Sequence, residues 1–422
     1  MMLSKATQAR LSRALLLLTV VLIALGAVGC SAAPSRGWSG PLVSDNVLYV
    51  GTFQGKIVAL DLTTADFNER LAPELKWDPK DVVGSLGGSN LSCGRVNNPM
   101  ALYGTPAVAN GRMYIAAYDG TVLWVEANGG TAVSDPRFDT GRAIVGSVAI
   151  ADDTLFVGSS NGILYALDLN LNEKWRFSTD EEIYSTPVVK DGVVYIASAD
   201  HNLYAIDAES GREIWRFKTK AAVMSTPLVE YGRVYIGGCD HKFYAIKAAS
   251  EEERVAASAG DPSSIRDYES VFEGARNWFW TQALAYNGQI WVGNLDHRIY
   301  VLNAENVAEE LHDPYKTGGI VYSPPVELSG VVLVGSQDGK LYAIDPGKWD
   351  VAVYAIDAKT SEVFEAPDEP KNALPPILAP MFVDKGTGVL YFHAQDGTHT
   401  LYAFNLLTEE VLWSFRTDKI SD

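Results

Sequence analysis

From residue 38 onward, strand-length apolar runs alternate with short polar breaks, and the alternation is periodic. Residues 184–219 carry it most clearly. Tyr184-Ser185-Thr186-Pro187 leads into Val188-Val189, and Asp191-Gly192 turns the chain into Val193–Ala197. Asp200-His201 turns it again into Leu203-Tyr204-Ala205-Ile206-Asp207, and Ser210-Gly211 precedes Ile214-Trp215-Arg216-Phe217. β-Branched and aromatic runs bounded by Gly, Asp or Asn predict four short strands joined by tight turns.

The turn ahead of the third strand recurs at Gln54-Gly55, Asp119-Gly120, Asn161-Gly162, Asp200-His201, Asp240-His241, Asp296-His297, Asp338-Gly339 and Asp396-Gly397. Eight copies of a four-strand unit predict an all-β fold: an eight-bladed β-propeller of four-stranded antiparallel blades over residues 38–422. One blade cannot bury both faces of its sheet, so a ring of stacked blades supplies the core. Pro41, Pro106, Pro187 and Pro227 open first strands, where a missing N–H costs no ladder bond. Trp175, Trp215 and Trp413 fall in the fourth, outermost strand, with Trp77 beside them, and are expected to dock on the neighbouring blade. Copies two, five, six and seven lack this tryptophan, and Trp349 falls in an irregular insertion of copy seven.

The first 29 residues follow another pattern. Lys5, Arg10 and Arg13 precede the apolar run Leu15–Leu25, and Ala27-Val28-Gly29-Cys30 leads into the short tether ending at residue 37. This is the layout of a secretory signal peptide over 1–29. Small residues ending in cysteine resemble a bacterial lipoprotein processing site, with Cys30 acylated and the mature protein exported and held on a membrane. A cleaved soluble export signal and a single retained anchor are the alternatives; the apolar run is shorter than the ~20 residues a spanning helix needs.

The net charge is −18, and the leader holds three basic and no acidic residues, so cleavage after residue 29 leaves −21. Such a surface repels a phosphate backbone, which argues against nucleic acid as a partner. No Gly-rich phosphate loop, G-x-S-x-G or Cys-His zinc spacing is present. His201, His241 and His297 repeat in one turn of adjacent copies, but blade tips stand roughly 10 Å apart against a zinc–nitrogen bond of ~2.0 Å. They are expected to occupy left-handed turn positions, and no metal site is expected. Cys93 and Cys239 map to blades one and five, across the ring, too far apart to pair unless a loop crosses the face.

The segments S-T-P-V-V, D-G-V-V-Y-I, L-Y-A-I-D and G-R-E-I-W-R-F, written from Ser185 to Phe217, resemble the pyrroloquinoline-quinone-type repeat family. The resemblance runs from about Trp38 to Thr417 and implies the eight-bladed ring. Within that family the chain is similar to the propeller lipoproteins of the outer-membrane β-barrel assembly machinery. These also pair a lipidated cysteine with such a ring. That likeness implies a non-catalytic binding or scaffold module with a protein or peptide partner and no cofactor. The alternative is a quinoprotein oxidoreductase using pyrroloquinoline quinone and calcium. Family enzymes of that kind have longer chains and often a disulfide between adjacent cysteines. Their calcium-binding and catalytic carboxylate residues map onto no position here, and repeat likeness alone does not carry chemistry.

Long loops on one face of a rigid scaffold are where binding is sought. Residues 78–100, 258–277 and 363–375 read as blade-to-blade links, all on one face. Trp38, Tyr103, Val145, Tyr184, Met224, Phe279, Tyr322 and Leu378 precede the first strands and are expected either to rim the channel mouth there or to pack between blades. Around Trp278-Phe279-Trp280-Thr281-Gln282, Trp280 replaces the usual small residue and Gln282 the proline, with Arg276 and Asn277 just before. Arg276, Asn277, Trp278, Trp280, Gln282, Tyr184 and Tyr322 are therefore the candidate binding residues; none is assigned a catalytic role.

Overall fold

The computed structural model describes residues 39–52, 56–66, 71–77, 102–127, 137–261, 263–365, 370, 373–394 and 400–417. The leader, Cys30, Trp38, the 78–100 link and Cys93 lie outside them. Within them the strands form eight antiparallel sheets in chain order, and the ring is an eight-bladed β-propeller. The first strands of neighbouring blades lie side by side around the axis, and that of blade 8 (Phe382–Asp384) meets that of blade 1 (Leu42–Ser44). The ring is closed by this packing, and among the described residues no strand is exchanged between blades 8 and 1.

The apolar runs are explained by burial on both faces. In blade 4 the second strand Val193–Ala197 and third strand Asn202–Asp207 are buried at every position. The outer strand Glu173–Ser178 of blade 3 alternates instead between exposed and half-buried side chains. The main core is eight apolar clusters, one at each blade interface. In blades 1 to 7 the turns between first and second strands place both central residues at positive φ, as at Asp191 (52°) and Gly192 (74°), which matches the right-handed strand twist.

Two readings of the insertions are corrected. Residues 258–277 are not one blade-to-blade link: only 273–277, after the fourth strand, belong to the link into blade 6. The excursion begins after the third strand of blade 5 (Phe243–Lys247) and ends at its fourth (Ser270–Phe272). It therefore starts on the opposite face. It holds helix α1 (Glu251–Ala259) and a strand, Ser264–Arg266, that pairs in parallel with the outer strand of blade 4. Segment 363–375 opens not as a free link but with a fifth strand of blade 7, Val363–Glu365, paired with Val351–Ile356.

The docking of blades is also richer than tryptophan alone. Trp175 lies against Gly211 of the next blade, where an added Cβ would stand 2.6 Å from the indole, and its Nε1 donates to Ala208 O at 3.0 Å. Trp77 does the same to Ala127 O at 3.3 Å. Trp215 is fully buried, but its neighbour turn has been replaced by the excursion, whose Arg266 lies over the indole at 5.0 Å. Trp349 is no bystander: from blade 7 it stacks on Trp291 and His312 of blade 6, centroids 6.3 and 5.1 Å apart. That aromatic stack stands in for the outer-strand tryptophan copy six lacks.

Candidate functional site

The links between blades are held by a device built from the repeat itself. The Asp200 carboxylate accepts from the Tyr204 hydroxyl at 2.6 Å and from the Asp180 N–H of the incoming link at 3.1 Å. Asp240 with Tyr244 and the Lys220 N–H repeats it, as do Asp296 with Tyr300 and the Arg276 N–H, and Asp338 with Tyr342 and the Gly318 N–H. Three of these tyrosines also pack at a steep angle against a phenylalanine of the preceding blade: Phe177 on Tyr204, Phe217 on Tyr244 and Phe272 on Tyr300, each 5.1–5.3 Å. Sequence reading saw the Asp turn and the L-Y-A-I-D strand but not their coupling. The signal was the constant four-residue spacing from Asp to Tyr. The histidines that follow the aspartates sit at φ 76°, 68° and 65°, so they are left-handed turn residues. Among the described residues no cluster of His, Cys, Asp and Glu could hold a metal.

Clasped in this way, the links deliver one side chain per blade toward the axis. A cavity of about 390 Å³ opens there, lined by Tyr103, Val145, Tyr184, Met224, Trp280, Tyr322 and Leu378 together with the starts of the first strands. The alignment of blade 6 is corrected by one residue. Trp280, not Phe279, faces the cavity; Phe279 is fully buried between blades 5 and 6. Trp280 thus occupies the place of Tyr184 and Met224, and Ala283, not Gln282, replaces the proline. Trp280 lies four residues after the clasped Arg276 N–H, as Tyr184, Met224 and Tyr322 lie four after those of Asp180, Lys220 and Gly318; between them Asn277 accepts the Trp278 N–H at 2.9 Å and donates to Leu295 O at 3.1 Å.

The seven candidates divide. Tyr184, Trp280, Gln282 and Tyr322 share the axial cavity, with Trp280 edge-on to Tyr322 at 6.2 Å. Gln282 Nε2 donates to Pro227 O at 3.0 Å and bridges blades 5 and 6. Trp278 is half-buried beside them, packed with Met224 and Cys239. Cys239 is a free thiol whose pKa burial pushes up to about 12. Arg276 does not join the tryptophans: it is exposed and lines a separate groove with Arg298 and Lys316. Burial likewise raises the phenols of Tyr103, Tyr184 and Tyr322 to about 12, so all three are neutral donors at physiological pH.

The family model described as outer membrane protein assembly factor BamB matches residues 27–174 and 171–254, more than half of the chain. The chain belongs to that family. No curated protein matches it. Among solved structures it is similar to BamB from Moraxella catarrhalis, with TM-score 0.57 and 14% identity over 87% of this chain and 96% of that one. It is also similar to the computationally designed protein Ika8, with TM-score 0.62 and 13% identity over the same shares. At these identities the likeness is one of fold.

A quinone cofactor was the alternative implied by the repeats. Among the described residues, no acidic, basic or histidine side chain lines the axial cavity. Pyrroloquinoline quinone carries several carboxylates, and calcium takes six to eight oxygen ligands, carboxylates foremost. The residues of this cavity do not fit that pair.

Proposed function

We propose that this protein is a lipid-anchored scaffold of the cell envelope that takes part in outer-membrane protein assembly and binds protein partners, without catalysis. The observation that carries this reading is the family match across more than half of the chain. The axial cavity, lined by aromatic and hydroxyl side chains, supports a binding role. Cys30 is its proposed lipid attachment site, and acyl chains contribute roughly 0.8 kcal/mol per buried CH₂ to membrane binding. The docking surface is proposed on the face where the clasped links emerge, near Arg276 and Trp278.

Two measurements test this. Expressed from its full gene in a bacterium with two membranes, the protein should yield a mature N-terminal peptide beginning at Cys30 with the mass of attached acyl chains. An unmodified N-terminus removes the anchor. Crosslinking in the native envelope should join the link face to components of the outer-membrane assembly machinery. Crosslinks confined to unrelated soluble proteins would contradict the assembly role.

A further inference from the structure

The axial cavity stands apart from the rest of the molecule in charge. The chain is 20% charged, yet among the described residues no Asp, Glu, Lys, Arg or His lines this space. Burying an unpaired charge there would be costly, so the cavity selects an uncharged occupant. At about 390 Å³ it falls within the roughly 300–1,000 Å³ of ordinary ligand pockets.

Its polar wall is an arc of donors. The hydroxyls of Ser147, Thr186 and Thr226 each accept a backbone N–H from the preceding blade, at 2.9, 2.9 and 3.1 Å. A hydroxyl that accepts in this way keeps its own proton to give. The lining also includes Thr281, whose buried Oγ1 has no partner among the described residues. Over this arc stand the aromatic faces of Trp280, Tyr322 and Tyr184.

We infer that the axial cavity binds an uncharged, extended peptide segment carrying an aromatic side chain. The ring packs among the aromatic residues of the wall, and peptide carbonyls accept from the hydroxyl arc. Donor-rich walls favour peptide carbonyls, which only accept. A sugar presents its own hydroxyl protons, and the wall has no carboxylate to receive them. The inference rests on the reading that the partners are proteins and specifies which part of a partner the axis would hold.

The test is a titration of the full-length protein, in detergent, with blocked peptides of the form acetyl-Gly-Xaa-Gly-amide. Xaa is para-fluorophenylalanine, followed by fluorine NMR. The neutral peptide should bind, and replacing the flanking glycines by Asp or by Lys should weaken it about tenfold or more. Trp280→Ala should cost about tenfold or more, Trp280→Phe should retain most of the affinity, and Tyr231→Ala, exposed elsewhere, should change nothing. Should Trp280→Ala fold poorly, Thr226→Val removes one donor and should cost about fivefold. Equal binding of charged peptides, full affinity in both cavity variants, binding of maltose in place of the peptide, or no binding of the neutral peptide overturns the inference. Normal crosslinking to the assembly machinery alongside failed titrations would sink the cavity site alone and leave the scaffold reading standing.

Discussion

Single residues decide how each blade grips the next. Trp215 is fully buried, so Trp215→Ala should lower stability by about 3–5 kcal/mol, measured by thermal or denaturant unfolding. Trp349, from sequence alone a loop residue, is half-buried in an aromatic stack with Trp291, Tyr315 and His312. Its alanine variant should therefore also destabilise, by on the order of 2 kcal/mol, rather than behave as a surface change. Asp207 offers a pH test. Burial alone would raise its pKa, but bonds from Ser210 and Arg254 outweigh that and hold it below the usual carboxylate range. A depressed folded-state pKa contributes stability that is present above the unfolded value, near pH 4, and lost as pH falls through the folded value. Asp207→Asn should thus be less stable than the parent at pH 7, and the gap in melting temperature should narrow below about pH 4.

At the scale of elements, the excursion of blade 5 is the largest departure from the repeat. Helix α1 opens with a capping box between Ser250 and Glu253, and Arg254 reaches back to Asp207 of blade 4 at 3.2 Å. Arg266 pairs with Glu253, donates to the carbonyls of Lys247 and Ala248, and covers Trp215. The excursion thus replaces the hairpin turn on which an outer-strand tryptophan rests in blade 3. Arg266→Ala should destabilise the protein by about 1–3 kcal/mol in unfolding experiments, since it uncovers an indole and frees two carbonyls. Ile265→Lys, at a side chain 83% exposed on the outer edge, should leave stability unchanged. The sequence could place neither element: the excursion sits between two strands of one sheet, and its own strand pairs with a different blade.

For the whole molecule, closure is the vulnerable step. Blades 8 and 1 meet through packing, with Trp413, Tyr391 and Leu401 against Leu48, Val50 and Leu60. Among the described residues no strand is shared across this interface, and the apolar cluster is what resists opening. Trp413→Ala should accelerate amide hydrogen exchange first in blades 1 and 8, before the best-repeated blades 3 and 4. Uniform acceleration around the ring would show that closure is not the weak point. The same ring geometry explains the position of the candidate site. Blades 2 to 8 each contribute one such side chain to the axis, so seven residues remote in sequence share one cavity.

The blade count, the order of strands and the turns were legible in the chain, because each is a local pattern repeated eight times. So was the set of residues heading for the axis, apart from blade 6. There the regular four-residue spacing from the clasped Arg276 N–H places Trp280, not Phe279, at the cavity wall. Side-chain contacts between blades were not legible. The clasp from Asp296 to Tyr300 and Arg276, the stack on Trp349, and the strand Ser264–Arg266 against Trp215 each join segments tens of residues apart or residues whose facing depends on the neighbouring blade. Periodicity states that a residue is buried. Only the ring determines which blade buries it, and only the convergence of the blades makes an uncharged cavity from side chains that are unremarkable one by one.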